Sequence, residues 1–312
     1  MATAQSLDVA SRTKSRTTTA AQSARTRTLK NFASAMLFLL PSLLIFVFFV
    51  FIPLLKTIDL STYLTNSIGV PVERNFPENY QRVFDDKDLF NSLKVSLTFA
   101  LYVVPTTLVV SLFLAVLANT PLRGISIFRV IFASTIAVSG ATASLIFLFL
   151  FHPAIGVLNY MLDLAQLPRV QWLTSEGSAL ISVSLVTIWL TLGFNTVIFL
   201  AALQGISQEL YESATIDGAG FWPSFRHITL PMISPTIFFL IVVSTLGALQ
   251  TFTQINIMTR GGPLDSTNVI VELIYRAFYF NGQYGIAATL SVILFLIMFA
   301  LTIIQFGVIE RR

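Results

Sequence analysis

The sequence predicts an all-α polytopic membrane protein with six transmembrane helices. Of its 312 residues, 55% are hydrophobic and only 11% are charged, whereas soluble domains carry about 25% charged residues. Six long windows contain no Asp, Glu, Lys or Arg, and each reaches the ~20 residues that a helix needs to cross the hydrocarbon core. Because barrel strands alternate in segments of about 10 residues, these uninterrupted windows indicate helices rather than a β-barrel.

The chain begins with a basic leader, residues 1–31, which is rich in Ser, Thr, Ala and Arg and lacks apolar periodicity. This composition predicts a disordered cytoplasmic tail. The first apolar window is too long for a cleavable signal peptide, so it is expected to remain as an anchor. The transmembrane domain follows over residues 32–312. Its six charge-free windows are Phe32–Leu55, Val95–Asn119, Val130–Phe151, Gly177–Gln208, Ile228–Thr259 and Gln283–Ile309.

The distribution of Lys and Arg predicts that both termini are cytoplasmic. With six spans, the side that holds the leader carries eleven basic and five acidic residues, and the opposite side carries eight basic and ten acidic residues. Cytoplasmic loops of membrane proteins are enriched in Lys and Arg. The sequence therefore predicts a multi-pass protein of the bacterial cytoplasmic membrane, embedded in the lipid bilayer.

Several function classes are excluded or disfavoured by composition. The chain contains no cysteine, which excludes disulfides and thiol catalysis. Its two histidines, His152 and His227, lie far apart, and no metal-ligand spacing occurs. The phosphate-binding motif G-x-x-x-x-G-K-[ST] is also missing. The sequence therefore predicts neither an enzyme nor an ATP-hydrolysing subunit, and gives no sign of nucleic-acid binding.

A polar segment, residues 205–231, separates the fourth and fifth spans. It contains "ELYESATIDGAGFWPSFRHITLP", with three acidic residues, and an acidic side chain costs about 2.5–3.5 kcal/mol at the bilayer centre. The segment must therefore leave the membrane on the cytoplasmic side. We expect two short helices, broken at Gly218-Ala219-Gly220, with Pro223 at the first position of the second helix. An amphipathic connector on the membrane surface remains an alternative.

The stretch "YESATIDGAGFWPSFRHITLPMISP" resembles the E-A-A-x-x-D-G-A…F…I-x-L-P…P signature of inner-membrane permease subunits of binding-protein-dependent ABC importers, with Ser213 in place of the first alanine. Three more stretches resemble the carbohydrate-uptake branch, of the maltose, glycerol-phosphate or glycosyl-glycerol type. They are "GFNTVIFLAALQGI", "TRGGPLDST" and "YGIAATLSVILFLI". The resemblance covers residues 32–312 and implies a type I ABC importer permease fold.

The resemblance also implies partners and coupling residues. A dimeric cytoplasmic ATPase would supply the ATP and Mg²⁺ chemistry, and this chain would hold no cofactor and no metal of its own. A second homologous permease subunit and an extracytoplasmic solute-binding protein would complete the importer. By analogy with the family, the segment 205–231 would seat in a cleft of the ATPase, through Glu212, Ser213, Ala214, Asp217, Gly218 and Ala219.

Uncharged polar and aromatic residues in the fourth and fifth spans are candidates for the solute path. Polar groups on a membrane-spanning helix are expected to face protein or a water-filled cavity. Amides and hydroxyls suit a polyhydroxyl solute, and aromatic rings can stack on the apolar face of a sugar. Hydrogen bonds that only hold the helices together are the alternative. The candidates are Trp189, Phe194, Asn195, Ser244, Gln250, Thr251 and Gln254.

The sequence thus predicts alternating-access import of a sugar, oligosaccharide or polyol derivative, driven by a partner ATPase. A permease for glycerol 3-phosphate is the nearest alternative, although the charge-free windows supply no cation for a phosphate. An ion-coupled secondary transporter is a second alternative, but it would be expected to carry an ionisable residue near mid-membrane. A membrane-embedded enzyme would need clustered His or carboxylates, which the sequence lacks.

Overall fold

The computed structural model describes residues 35–120 and 122–309. The basic leader and the C-terminal arginines lie outside the described residues, so the predicted cytoplasmic side of both termini stays a prediction. Five helices in the described part are long and apolar enough to cross a membrane, and a bent pair of helices makes a sixth. The predicted all-α membrane fold is confirmed, with the addition of one small β-hairpin that the sequence analysis did not predict.

The first span is helix α1 (Ala35–Leu60), which has a mean hydropathy of 2.9. It contains a π-helical turn over Val47–Phe51. Most of its large apolar side chains are exposed, as expected for a helix surrounded by lipid. Within the described residues, 35–59 form a unit separate from residues 60–309.

A short segment precedes the second span on the side that is predicted to be extracytoplasmic. Strands β1 (Tyr63–Thr65) and β2 (Pro71–Arg74) pair in antiparallel register, and helix α2 (Glu78–Asp85) follows. The side chain of Asn79 donates hydrogen bonds to the backbone carbonyls of Ser61 and Tyr63, each at 3.0 Å. This buried amide therefore fixes α2 against the hairpin.

The second span, α3 (Lys87–Ala118), is a long helix that passes through Pro105. Asp86 caps its start by accepting a hydrogen bond from the backbone N–H of Asp88. At its cytoplasmic end, the Arg129 guanidinium donates two hydrogen bonds to the carbonyl of Ala118, at 2.7 and 3.0 Å. A positive charge at this position interacts favourably with the negative, C-terminal end of the helix dipole.

The third charge-free window, which was predicted to form one transmembrane helix, is a bent pair of helices. Helix α4 (Ile125–Ala133) continues as a 3₁₀ turn over Ser134–Ala137, and α5 (Gly140–Leu150) then leaves at an angle of 101°. A new helix starts after Ser139, because the Ser139 hydroxyl accepts a hydrogen bond from the backbone N–H of Thr142 and caps α5. The single-helix expectation was therefore wrong at residues 138–139.

The loop between the third and fourth spans is built around Asn159 on helix α6 (Val157–Leu164). The Asn159 side chain is 2% exposed. It donates to the carbonyls of Pro153 and Val170 and accepts from the N–H of Val170 and the indole of Trp172. In the same loop, hydrogen bonds from the Arg169 guanidinium hold the pKa of the Asp163 carboxyl below its usual value.

The fourth span, α7 (Glu176–Gln204), packs most extensively against α3. The remaining elements continue from the cytoplasmic side through the fifth span, the extracytoplasmic loop and the sixth span. They are α8 (Gln208–Ile216), α9 (Phe221–Ser224), a π-helical turn (Phe225–Thr229), α10 (Leu230–Met232), α11 (Ser234–Leu249), α12 (Thr253–Met258), α13 (Ile270–Tyr275), a second π-helical turn (Arg276–Phe280) and α14 (Tyr284–Ile309).

Three clusters of buried apolar side chains hold residues 60–309 together. The central cluster includes Phe99, Phe151 and Val183. An extracytoplasmic cluster joins α2, the start of α3, α13 and α14. A cytoplasmic cluster joins the ends of α3 and α7 to the start of the fifth span. The fifth span thus contacts the bundle next to the polar segment that precedes it.

Candidate functional site

The segment 205–231, which is predicted to be cytoplasmic, begins with α8, whose end has a well-defined cap. The backbone N–H of Ala219 donates to the carbonyl of Ala214 at 2.8 Å, and that of Gly218 donates to Thr215 at 3.0 Å. These two bonds form a Schellman motif, in which the residue after the helix adopts left-handed backbone angles. Gly218 has φ of +81°, so a glycine is favoured there by the backbone conformation.

The residues predicted to seat in a partner share one solvent-facing knob, which we define as residues 208–220. Glu212, Ser213, Asp217 and Gly218 are exposed, whereas Ala214 and Ala219 are half-buried. The knob also presents Ile216, which is 87% exposed. The sequence analysis missed this residue, although an isoleucine beside a helix-ending Asp-Gly pair was a usable signal. An isolated exposed apolar side chain is common, but here it stands among carboxylates that form no ion pair within residues 35–120 and 122–309.

A hydrogen bond ties the knob to the fifth span. The hydroxyl groups of Tyr211 and Thr229 lie 2.9 Å apart, and the Thr229 side chain is buried. Thr229 ends the π-helical turn that leads into α10 and α11. The helix α8 and the start of the fifth span are therefore joined by a direct contact as well as by the chain.

The second helix of the segment differs from its prediction in start and length. It begins at Phe221, so Pro223 occupies the third helical position and not the first. Proline has no backbone N–H, and an N–H in the first turn of a helix lacks an intrahelical partner in either case, which explains why proline is tolerated. The helix also continues through the π-helical turn as far as Met232, where a short break at Ile233 precedes α11.

The fifth span is interrupted at Gln250–Phe252, between α11 and α12. Gln254 lies beside the start of α5, since a Cβ added to Gly140 would be 3.5 Å from its Nε2 atom. The breaks in the third and fifth spans therefore meet. Irregular backbone at membrane depth is tolerated where it is buried in protein or lines a water-filled cavity.

The candidate solute-path residues fall into two groups. Gln250, Thr251 and Gln254 lie at the break in the fifth span, where Gln250 is exposed and donates to the Met298 sulfur at 3.5 Å. Phe194 is 43% exposed on α7, and Ser244 is half-buried on α11.

Two other candidates on α7 lie within the protein interior. Asn195 is 2% exposed and donates to the carbonyl of Thr191 at 3.1 Å, while its Oδ1 atom has no partner in the described chain. The half-buried Trp189 packs edge-on against Phe147, with ring centroids 5.5 Å apart. Their exposure to a solute stays a prediction.

Comparison with known proteins agrees with this geometry. Residues 84–312 match the family described as "Binding-protein-dependent transport system inner membrane component". The chain is 34% identical over 276 residues to the sn-glycerol-3-phosphate transport system permease protein UgpA of Pectobacterium atrosepticum. The aligned region covers 88% of this chain and 92% of that protein. A probable ABC transporter permease protein of Brucella suis is 32% identical over 275 residues, or 88% of this chain and 95% of that one.

A solved structure has the same fold. A chain of the bacterial alginate ABC transporter, in complex with an alginate pentasaccharide-bound periplasmic protein, superposes with a TM-score of 0.78. It shares 24% sequence identity, and the match covers 89% of this chain and 94% of that chain. The bent third span and the interrupted fifth span thus belong to a chain that has an ABC importer permease architecture.

Proposed function

The chain belongs to the family of binding-protein-dependent transport system inner membrane components, and on that premise we propose that it imports a polyhydroxyl solute by alternating access. It is a permease subunit of an ABC transporter and not an enzyme. The solute is a sugar, an oligosaccharide or a polyol derivative. A homologous second permease, a dimeric cytoplasmic ATPase and an extracytoplasmic solute-binding protein complete the importer, and ATP and Mg²⁺ bind to the ATPase.

The observation that carries this proposal is the linkage between the knob and the fifth span. The knob exposes Glu212, Ile216 and Asp217, and the Tyr211–Thr229 hydrogen bond joins it to the helix that enters the membrane. In the proposed cycle, the closing ATPase dimer pushes the knob, and the fifth span moves with it. Such coupling requires that the ATPase binds the knob differently in its two states, because equal binding shifts no equilibrium.

The solute path of this proposal passes the break in the fifth span. Gln250, Thr251 and Gln254 supply amide and hydroxyl groups that donate and accept hydrogen bonds without carrying charge. Trp189, Phe194, Asn195 and Ser244 extend the path along α7 and α11. This chemistry favours a neutral solute. A glycerol phosphate is the second candidate, because several relatives at 34–35% identity are named for sn-glycerol-3-phosphate transport.

A transport assay tests the proposed function. We expect proteoliposomes that contain the assembled importer to accumulate labelled solute only with ATP on the ATPase side. Replacement of the catalytic carboxylate in the partner ATPase should abolish uptake. Calorimetry on the cognate binding protein, with neutral glycosides and sn-glycerol 3-phosphate, selects the labelled solute. Uptake that persists with the inactive ATPase and stops when ionophores collapse the ion gradients would support a secondary transporter and contradict the proposal.

A further inference from the structure

A cavity of about 660 Å³ lies at the end of the fifth span that is opposite to the knob. Its walls come from the start of α3, from α12 and from α13 with the π-helical turn that follows. Residues on these walls that matter for recognition are Asp88, Asn256, Arg260, Glu272, Tyr275 and Phe280. No candidate solute-path residue lines this cavity, and it lies on the side where a solute would arrive.

Part of the polar wall is held rigidly by internal contacts. Glu272 is 1% exposed, and its Oε2 atom accepts a hydrogen bond from Asn256 at 3.2 Å. The Arg276 guanidinium lies 3.6 Å from Glu272 Oε1 and donates to Asp265 at 2.7 Å. Arg276 also donates to the backbone carbonyl of Arg260. These contacts fix α12, α13 and the loop between them as one frame.

Two charged groups on the wall remain available to a ligand. Neither the Arg260 guanidinium nor the Asp88 carboxylate forms an ion pair within residues 35–120 and 122–309. The guanidinium is a planar donor, and the carboxylate is an acceptor. Together with the Asn256 amide, they offer the mixture of donors and acceptors that hydroxyl groups need. The carboxylates of Asp88 and Glu272 balance the two arginines on the wall, Arg260 and Arg276, so the charge of the cavity does not favour an anion.

Aromatic rings connect this cavity to the break in the fifth span. Tyr275 and Phe280 line the cavity, with ring centroids 5.7 Å apart. Phe280 is 66% exposed, and Tyr279 stacks on Tyr275 at 5.4 Å with an interplanar angle of 7°. On its inner side, Tyr275 contacts Phe252 at 4.8 Å. Phe252 lies at the break, beside Thr251, so the rings run from the extracytoplasmic mouth towards the proposed solute path.

We propose that this cavity is an entry site for a neutral polyhydroxyl solute, occupied after the solute leaves the binding protein and before it reaches the mid-membrane residues. Tyr275 and Phe280 pack against the apolar face of a sugar ring, and Asp88, Arg260 and Asn256 bind its hydroxyls. A concave site with apolar walls and a few convergent polar groups is typical of small-molecule recognition. This inference rests on the proposed function and adds a second site and a charge preference to it.

A cysteine-protection experiment tests the entry site. The chain has no native cysteine, so Asn281→Cys places a single thiol on the cavity wall. The assembled importer, with cysteine-free partners, is treated in nanodiscs with a membrane-impermeant thiol reagent. The probes are maltose, trehalose, glucosylglycerol and sn-glycerol 3-phosphate. We expect at least one neutral probe to slow labelling about threefold when present at about twice its Kd.

Two controls make the result specific. Ile155→Cys is the matched control, because Ile155 is 75% exposed in another extracytoplasmic loop and its labelling should not respond to the probes. Tyr275→Ala should remove the protection of Asn281→Cys, whereas Tyr275→Phe should retain it, since the phenyl ring preserves packing against the sugar. If Tyr275→Phe keeps the protection that Tyr275→Ala loses, the loss is due to removal of the aromatic ring and not to a general loss of structure.

The outcomes also separate this inference from the proposed function. Labelling that no probe slows, or that only sn-glycerol 3-phosphate slows, overturns the neutral entry site. Equal protection of Ile155→Cys overturns it as well. ATP-driven uptake is measured on the same preparation, so unprotected Asn281→Cys with intact uptake contradicts the entry site alone. Protection without ATP-dependent uptake would contradict the proposed function instead.

Discussion

Glu212→Lys is expected to abolish solute uptake while the chain still folds and inserts. Glu212 is exposed on α8 and has no ion pair within the described part of the chain, so the folded permease does not depend on its charge. In the complex, the reversed charge would face a cleft shaped for a carboxylate. Loss of one partner of a buried charge pair costs about 2–5 kcal/mol at an interface, which corresponds to a weakening of about 30-fold or more.

The measurement is co-purification of the ATPase with the permease, together with ATP-driven uptake. Glu209→Lys is the matched control, because it makes the same charge change on the same helix outside the predicted seat. Glu209 lies in the first turn of α8, so its reversal carries a larger helix-dipole cost, of about 0.3–1 kcal/mol. Uptake by Glu212→Lys at the wild-type rate, or equal loss in both variants, would contradict a specific seat at Glu212.

Gly193→Ala is expected to destabilise the bundle more than an alanine at any open glycine of the spans. A Cβ at Gly193 would overlap the Thr135 hydroxyl and lie 2.6 Å from the Phe132 carbonyl. The Gly193 N–H also donates to the Thr135 Oγ1 atom at 3.1 Å. The added methyl would therefore push α7 away from the bend of the third span, and overpacking of this kind costs about 1–3 kcal/mol.

Gly247→Ala is the matched control, because Gly247 lies in α11 and a Cβ there meets nothing within 4 Å. Alanine is the better helix former by about 1 kcal/mol, so this variant should melt at or above the wild-type temperature. Thermal unfolding of the purified complexes and size-exclusion profiles provide the comparison. If Gly193→Ala melted at the same temperature as Gly247→Ala, the close approach of α7 to residues 132–135 would not matter to stability.

The positions of the spans could be predicted from the sequence because lipid imposes a simple requirement. A window such as Gly177–Gln208 must be long, apolar and helical to satisfy its backbone in hydrocarbon, and α7 occupies most of it. The polar segment 205–231 could also be predicted from the sequence, since its carboxylates cannot remain in the membrane. Its two helices and the break at Gly218 follow from local backbone chemistry.

The breaks within spans were not predicted, because a charge-free window shows that a segment is apolar but does not show where its helix bends or stops. The bend at residues 138–139 contains no proline, and its signal was the capping sequence Ser139–Thr142. The break at Gln250–Phe252 had no local signal beyond adjacent polar residues. Near both breaks, segments that are distant in the sequence come together, with Gln254 beside Gly140.

The surroundings of the candidate solute-path residues were harder to predict than the two helices of the polar segment. In a membrane protein, lipid-facing and interior positions are both apolar. The sequence around a single polar residue therefore does not tell which way its side chain points. Asn195 and Gln250 looked alike in sequence, yet Asn195 is buried and Gln250 is exposed. The frame around Glu272 was missed for a related reason, since Asn256 and Arg276 surround it only after α12 and α13 fold together.

Photo-crosslinking from the knob tests the central claim most directly. Ser213→Cys, an exposed position on α8, carries a maleimide-linked benzophenone in the assembled importer, and mass spectrometry identifies the adduct. Leu122→Cys is the control, because Leu122 is 64% exposed in the other cytoplasmic loop. We expect an adduct between position 213 and the ATPase whose yield changes with bound ATP. An ATPase adduct at position 122 with none at position 213 would contradict it.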